Sequence, residues 1–276
     1  MSGVSDVSES LRTRIVTAVV LAVVLLAVVL GLPPVATVAV ITAVVVAGAW
    51  EWSAFVRLKS VSRRVAYVAF VVLLLALAWR ASAARDTRDL ILAGAVVWWL
   101  AAFLWVAFAP RWVSPWSAGL AGVLALVPSW VAMVRLRLSL PHGAEWVLFA
   151  LLLVWVADIG AFFVGRRFGR IRLAPEVSPG KTWEGALGGL AVSALVAVAG
   201  AAWFRVALLS FLPLCLAAVG FSIVGDLTES LLKRFAGMKD SGSILPGHGG
   251  VMDRIDSVTG AAPVLLLGLT LLKVVA

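Results

Sequence analysis

Cysteine is almost absent. Cys215 is the single cysteine in 276 residues, so an intrachain disulfide is impossible and a cysteine-based metal site is excluded. Within its apolar run it reads as a small hydrophobe. Charge is scarce too: 13% of residues are charged and 63% are hydrophobic. A soluble domain is about half apolar and about a quarter charged. Too little polar sequence remains for a separate soluble domain, and the chain reads as an integral membrane protein. No repeat at a fixed period is visible. No basic stretch with interleaved aromatics is long enough to follow a nucleic-acid strand. The net charge of +9 is explained instead by positive-inside bias and anionic lipid head groups.

What is present is apolar sequence in long runs. A membrane-spanning helix needs about 20 mostly apolar residues. Nine segments predict spans: Leu11–Leu32, Val35–Phe55, Val65–Trp79, Leu90–Ala109, Ser117–Val134, Ala144–Val164, Glu184–Phe204, Val206–Gly225 and Asp253–Val275. The expected fold is therefore all-α, a polytopic membrane protein with about nine transmembrane helices. The first run follows Arg12 and Arg14, as a signal peptide would, but Ile15–Leu30 is unbroken and no small-residue cleavage site precedes Pro33. It is expected to be a retained helix.

With the N-terminus inside, sixteen of the 23 Lys and Arg residues fall on the inner side. The positive-inside rule then places the polar loops Gly165–Trp183 and Phe235–Met252 in the cytoplasm, where nucleotides are found. Several of the 13 tryptophans lie near predicted helix ends, as interfacial belts require. Residues 1–143 form an N-terminal transmembrane region without a readable chemical motif. Its one notable carboxylate, Glu51, is expected to pair with Arg57 at the interface. Residues 144–276 form the C-terminal transmembrane region in which chemistry is expected.

That chemistry centres on Gly225–Asp256. Ionisable residues in or beside membrane helices are costly, and their default reading is functional. Asp226, Glu229, Ser230 and Lys233 are spaced i, i+3, i+4, i+7 and share one helix face. The eighth span is therefore expected to continue past Gly225. Asp253, Asp256, Ser257 and Gly260 repeat this spacing at the start of the ninth span. Two helix ends with carboxylates on one face can converge on a hard cation such as magnesium. The plainer reading is interhelical ion pairing, for example Asp226 with Arg254.

The intervening loop carries Lys239, Asp240, Ser241, Gly242, Pro246, Gly247, His248, Gly249 and Gly250. Glycines let backbone approach a ligand. The loop also leads into a helix N-terminus, which favours phosphate. Lys233, Arg234 and Lys239 can supply positive charge. His248 is read either as a phosphate or leaving-group donor or as a loop cap.

A second polar block is Ser178-Pro179-Gly180-Lys181-Thr182-Trp183-Glu184-Gly185. A P-loop reading fails, because the first glycine of that motif would fall at Pro175 and no strand precedes it. Lys181 remains a phosphate ligand candidate. Gly185 and Gly189 suggest close helix packing. Asp158, deep in the sixth span, is read as a buried carboxylate needing a partner, either a cation or Lys181.

The pattern Ser230-x-x-Lys233-Arg234, Lys239-Asp240-Ser241-Gly242-x-x-Leu245-Pro246-x-His248-Gly249-Gly250-x-x-Asp253-Arg254-x-Asp256 resembles the signature of phosphatidate cytidylyltransferases, the CDP-diacylglycerol synthases. The blocks Asp158–Ala161 and Ser178–Gly185 are similar to two further blocks of that family. Specific matching covers about residues 155–263.

The resemblance implies a membrane enzyme that joins CTP to phosphatidic acid, embedded among membrane lipids in a bacterial inner membrane. It implies dependence on Mg2+, a possible second cation (K+), and a homodimer. It carries metal roles to Asp226 and Asp253, with Asp256 beside them. Catalytic roles are expected for Asp226, Lys233, Lys239, Asp240, His248, Asp253 and Asp256. Substrate-binding roles are expected for Lys181, Ser230, Arg234, Gly249, Gly250 and Arg254. The alternatives are a transporter with a cation and phosphate site, or a cytidylyltransferase acting on another lipid phosphate.

Overall fold

The computed structural model describes residues 16–17, 19–245, 247 and 249–274. Among the described residues, eight helices are long and apolar enough to cross a membrane: α1 (Pro34–Phe55), α2 (Val61–Ala81), α3 (Arg85–Phe108), α4 (Pro115–Ser139), α5 (Gly143–Phe168), α6 (Trp183–Phe204), α7 (Leu208–Ala236) and α8 (Met252–Leu271). The first expected span falls partly outside the described residues. Its described part is a shorter apolar helix, Val19–Gly31, whose last turn is π-helical over Ala27–Gly31. The protein is thus a nearly all-α polytopic membrane protein. One addition was not expected: β1 (Arg172–Ala174) and β2 (Ser178–Thr182) pair antiparallel as a small hairpin between α5 and α6.

Helix ends follow local chemistry. Proline stands in the first turn of α1 and of α4, where a missing N–H costs nothing. Ser114 and Ser117 form a capping box on α4. Thr182 caps α6 by accepting from the Gly185 N–H at 3.1 Å. The eighth expected span does run on past Gly225, to Ala236. It stops at Gly237, whose φ of 72° suits glycine. There the Met238 N–H returns to the Lys233 carbonyl at 2.8 Å.

The interior forms two main apolar clusters. One draws mostly on α5, α6, α7 and α8, with Trp146 stacked on Phe204 and Phe149 and Phe211 beside them. The other draws on α1 to α4 but is closed by Leu232 of α7 and Met252 of α8. The two halves of the chain therefore interlock around α8.

Close backbone approach sets the site. A Cβ on Gly225 of α7 would lie 2.6 Å from the Asp256 carbonyl oxygen of α8. Gly185 and Gly189 bring α6 against the Ala161 and Ala157 carbonyls of α5 in the same way, at 2.8 and 2.7 Å from their would-be Cβ atoms. Small residues at such crossings let helices pack without a hydrophobic driving force.

Candidate active site

Three segments bring the charged residues together. Tight packing at Gly225 sets Asp226 of α7 opposite Asp256 of α8. Strand β2 delivers Lys181 from a third direction. Lys181 Nζ pairs with Asp226 Oδ2, and Ser230 donates to Asp226 Oδ1 at 3.3 Å. One turn further along α7, Lys233 Nζ bridges the helices, donating to Asp253 Oδ1 at 2.7 Å and to Glu229 Oε2 at 3.1 Å. Asp253 Oδ2 accepts from the backbone N–H groups of Ser241 and Gly250, at 2.9 and 2.8 Å. Asp256 Oδ1 accepts from the Ser257 N–H at 2.7 Å.

The interhelical pairing expected for Asp226 does occur, but its partner is Lys181. Arg254 is exposed, and it is its neighbour Asp253 that meets α7, through Lys233. Asp158 keeps an open edge on α5 but has the partners expected of it: it shares a hydrogen bond with the Ser257 hydroxyl and feels the Lys181 charge. It lies within electrostatic reach of Asp226, Asp256 and Lys181. Lys239, Asp240 and Arg234 are exposed at the rim. His248 and Pro246 lie outside the described residues.

Two carboxylates carry more of the site than the sequence suggested. Glu229 is 1% exposed; one of its oxygens accepts from Lys233, and its carboxyl shares a hydrogen bond with that of Asp256, a contact between two carboxyls that needs a proton between them. Glu229 lies beside Asp253 as well. Glu51 does not pair with Arg57. Arg57 instead donates to the Phe235 carbonyl and lies 3.9 Å over that residue's ring. Glu51, 3% exposed, turns inward. Its carboxylate accepts from the Ser241 hydroxyl at 2.8 Å and from the backbone N–H groups of Val251 and Met252 at 3.1 and 2.8 Å. The physical reason is that α8 has no side-chain cap of its own, and its buried N–H groups need an acceptor.

This arrangement changes the picture of the glycine-rich loop. The α8 N-terminus was expected to offer free N–H groups to phosphate. Those of Gly250, Val251 and Met252 are already taken by Asp253 and Glu51, and that of Asp253 donates to the Ser241 hydroxyl at 3.3 Å. The glycines are nonetheless required. Gly249 has φ 77°, and a Cβ there would lie 2.6 Å from Asp253 Oδ2. A Cβ on Gly250 would overlap both Ser241 and Glu51.

Asp158, Asp226, Glu229, Asp253 and Asp256 thus gather around Lys181 and Lys233. The excess of negative charge, walled by hydrocarbon, calls for a further cation or a shared proton. Among the described residues, no three acidic side chains converge on one point as a ready metal cage. The donor set still fits a hard cation. It is all carboxylate, it includes the buried Glu229–Asp256 pair, whose shared proton a cation could replace, and magnesium usually takes only one or two carboxylates plus substrate phosphates.

The fold and site define a polytopic membrane protein with a charged, polar centre where two helix ends meet a hairpin. Residues 12–272 match the model of the cytidylyltransferase family. A phosphatidate cytidylyltransferase of Pseudomonas aeruginosa is 42% identical over 261 residues, spanning 92% of this chain and 95% of that protein. One from Haemophilus influenzae is 37% identical over 278 residues, spanning 92% and 96%. One from Brucella suis is 42% identical over 167 residues, spanning 56% and 59%. The chain belongs to the cytidylyltransferase family.

Proposed function

We propose that this protein joins CTP to phosphatidic acid, releasing pyrophosphate and CDP-diacylglycerol. The observation that carries the reading is the convergence of Lys181, Asp226, Lys233, Asp253 and Asp256 at one end of a membrane bundle, in a chain whose full-length relatives bear the name phosphatidate cytidylyltransferase. A transporter is not favoured by those relatives.

The chemistry asks for little base catalysis. A phosphate oxygen of phosphatidic acid is already an anionic nucleophile. It forms a bond to the α-phosphorus of CTP, the bond from that phosphorus to the bridging oxygen breaks, and pyrophosphate leaves with the electron pair. The barrier lies in bringing anions together and stabilising charge on the leaving group. Lys181 and Lys233, now paired with carboxylates, stand where they can turn to phosphate oxygens. Arg234, Lys239 and Arg254 at the rim add positive charge for the triphosphate and the lipid head group. Asp226 and Asp256 would hold Mg2+, with Asp253 joining if it releases Lys233. When bound, the metal supplies charge neutralisation on the phosphates. Acyl chains remain among the helices, so the lipid need not leave the bilayer.

The test is a headgroup and nucleotide panel on purified protein, following labelled nucleotide into lipid. The reading expects CTP with phosphatidic acid to exceed every other pair. Equal use of another lipid phosphate would replace the substrate, and no transfer at all would end the enzyme reading.

The same proposal sets the site on the cytoplasmic side of a bacterial inner membrane, supported by the Lys and Arg distribution. Ser243 is exposed. In a Cys215→Ala background, Ser243→Cys should resist an impermeant thiol reagent in intact cells and react after permeabilisation. Labelling in sealed cells would reverse the orientation.

A further inference from the structure

The N-terminal half holds no group of the proposed reaction, yet one of its side chains reaches the loop that does. Glu51 stands near the end of α1, about two hundred residues from its partners in sequence. Its two oxygens accept three hydrogen bonds, one each from the Ser241 hydroxyl, Val251 N–H and Met252 N–H. Ser241 in turn receives the Asp253 N–H on its hydroxyl and gives its own N–H to Asp253 Oδ2. Glu51, Ser241 and Asp253 therefore form one connected network, with Glu51 and Ser241 each 3% exposed. Two glycines leave room for it. A Cβ on Gly242 or on Gly250 would overlap the Glu51 carboxylate. An anion also suits this place because the start of a helix carries partial positive charge.

We propose that Glu51 is a positioning residue. It clamps the first turn of α8 to the Ser241–Gly250 loop and so fixes where the Asp253 carboxylate points, without touching substrate. The inference rests on the reading of Asp253 as a site residue. It also assigns a role to α1: its inner end is the anvil against which the site is set. Because carboxylates fill the α8 N-terminus, phosphate binding falls to the lysines and not to that helix end.

Glu51→Gln is the sharpest variant. It keeps the size but puts a donor amide where one of the two oxygens accepted, against backbone donors that cannot turn away. Backbone amide exchange is measured on the full-length protein in detergent, with turnover measured well below each variant's melting temperature and expressed per folded molecule. The expected result is faster exchange, by at least about tenfold, of the Val251 amide, whose single bond to Oε1 is the one a carboxamide gives up most cheaply, with a smaller rise at Met252 and peptides of α4 unchanged. Turnover should fall by about 10²-fold, the scale of a misplaced reacting group. Ser241→Ala keeps the two backbone bonds to Glu51 and should lose less. The double variant should lose less than the product of the two single losses, since both act through one network.

Unchanged exchange at Val251 and Met252 overturns the proposal. So does faster exchange with unchanged turnover per folded molecule, which would make Glu51 a stabilising contact only. If Glu51→Gln does not fold, Glu51→Asp and Ser241→Ala give the same comparison. The exchange arm needs no substrate. A wild-type protein silent toward CTP and phosphatidic acid would therefore strike the proposed reaction, while exchange still decides whether Glu51 holds the loop.

Discussion

Helices α2 and α8 sit at opposite extremes of this bundle. In its most apolar window α8 is 72% buried, whereas α2 is 17% buried. Yet α8 is the least apolar of the eight long helices. In a soluble protein the ordering would be the reverse. In a bilayer, lipid is as apolar as leucine, so apolar character does not drive a helix inward. What draws α8 to the centre is its polar and small residues. Asp253, Asp256, Ser257, Thr259 and Gly260 all need protein partners or close backbone contact, and lipid offers neither. Helix α2 instead shows Phe70, Leu73 and Leu77 outward, a surface that lipid satisfies.

The comparison breaks first on charge. Asp226→Asn and Asp253→Asn, each nearly the size of the native side chain, should lower CTP-dependent transfer by at least about 10²-fold with insertion intact. Leu73→Ala on α2 should leave it within about twofold. Initial rates on purified variants, matched for membrane expression, check both. A mild Asp226→Asn phenotype would mean that α7 and α8 are as inert as α2.

Packing gives the next largest effect. A Cβ on Gly260 would collide with the Phe221 carbonyl of α7, whereas one on Gly94 of α3 meets nothing within 4 Å. Gly260→Leu should cost about 1–3 kcal/mol or more, read as a lower melting temperature in detergent. Gly94→Leu should be neutral. Equal tolerance would show that α7 and α8 can part without harm.

Hydropathy made the long helices legible, because a bilayer demands continuous apolar runs whatever the packing. The polar stripes of α7 and α8 were legible for a related reason: helical spacing puts Asp226, Glu229, Ser230 and Lys233 on one face. The hairpin was not. Its strands are too short to show an alternating pattern, and Lys181 looked like part of a loop. Glu51 was misread because nothing near it in sequence reveals a partner at Met252, and Arg57 was merely the nearest opposite charge. The available hint lay elsewhere, in an α8 start that lacks a capping side chain. Glu229 was visible as a stripe member, but its pairing with Asp256 appears only once α8 is packed beside it.

The most direct test follows the label. Purified protein, given Mg2+ and phosphatidic acid, receives CTP carrying a radiolabel either at the α-phosphorus or at the γ-phosphorus. A site that joins the nucleotide to the lipid phosphate puts the α-label into lipid and the γ-label into pyrophosphate, and loses both in Asp226→Asn. A γ-label in lipid, or an α-label that stays in water-soluble nucleotide, would contradict the account.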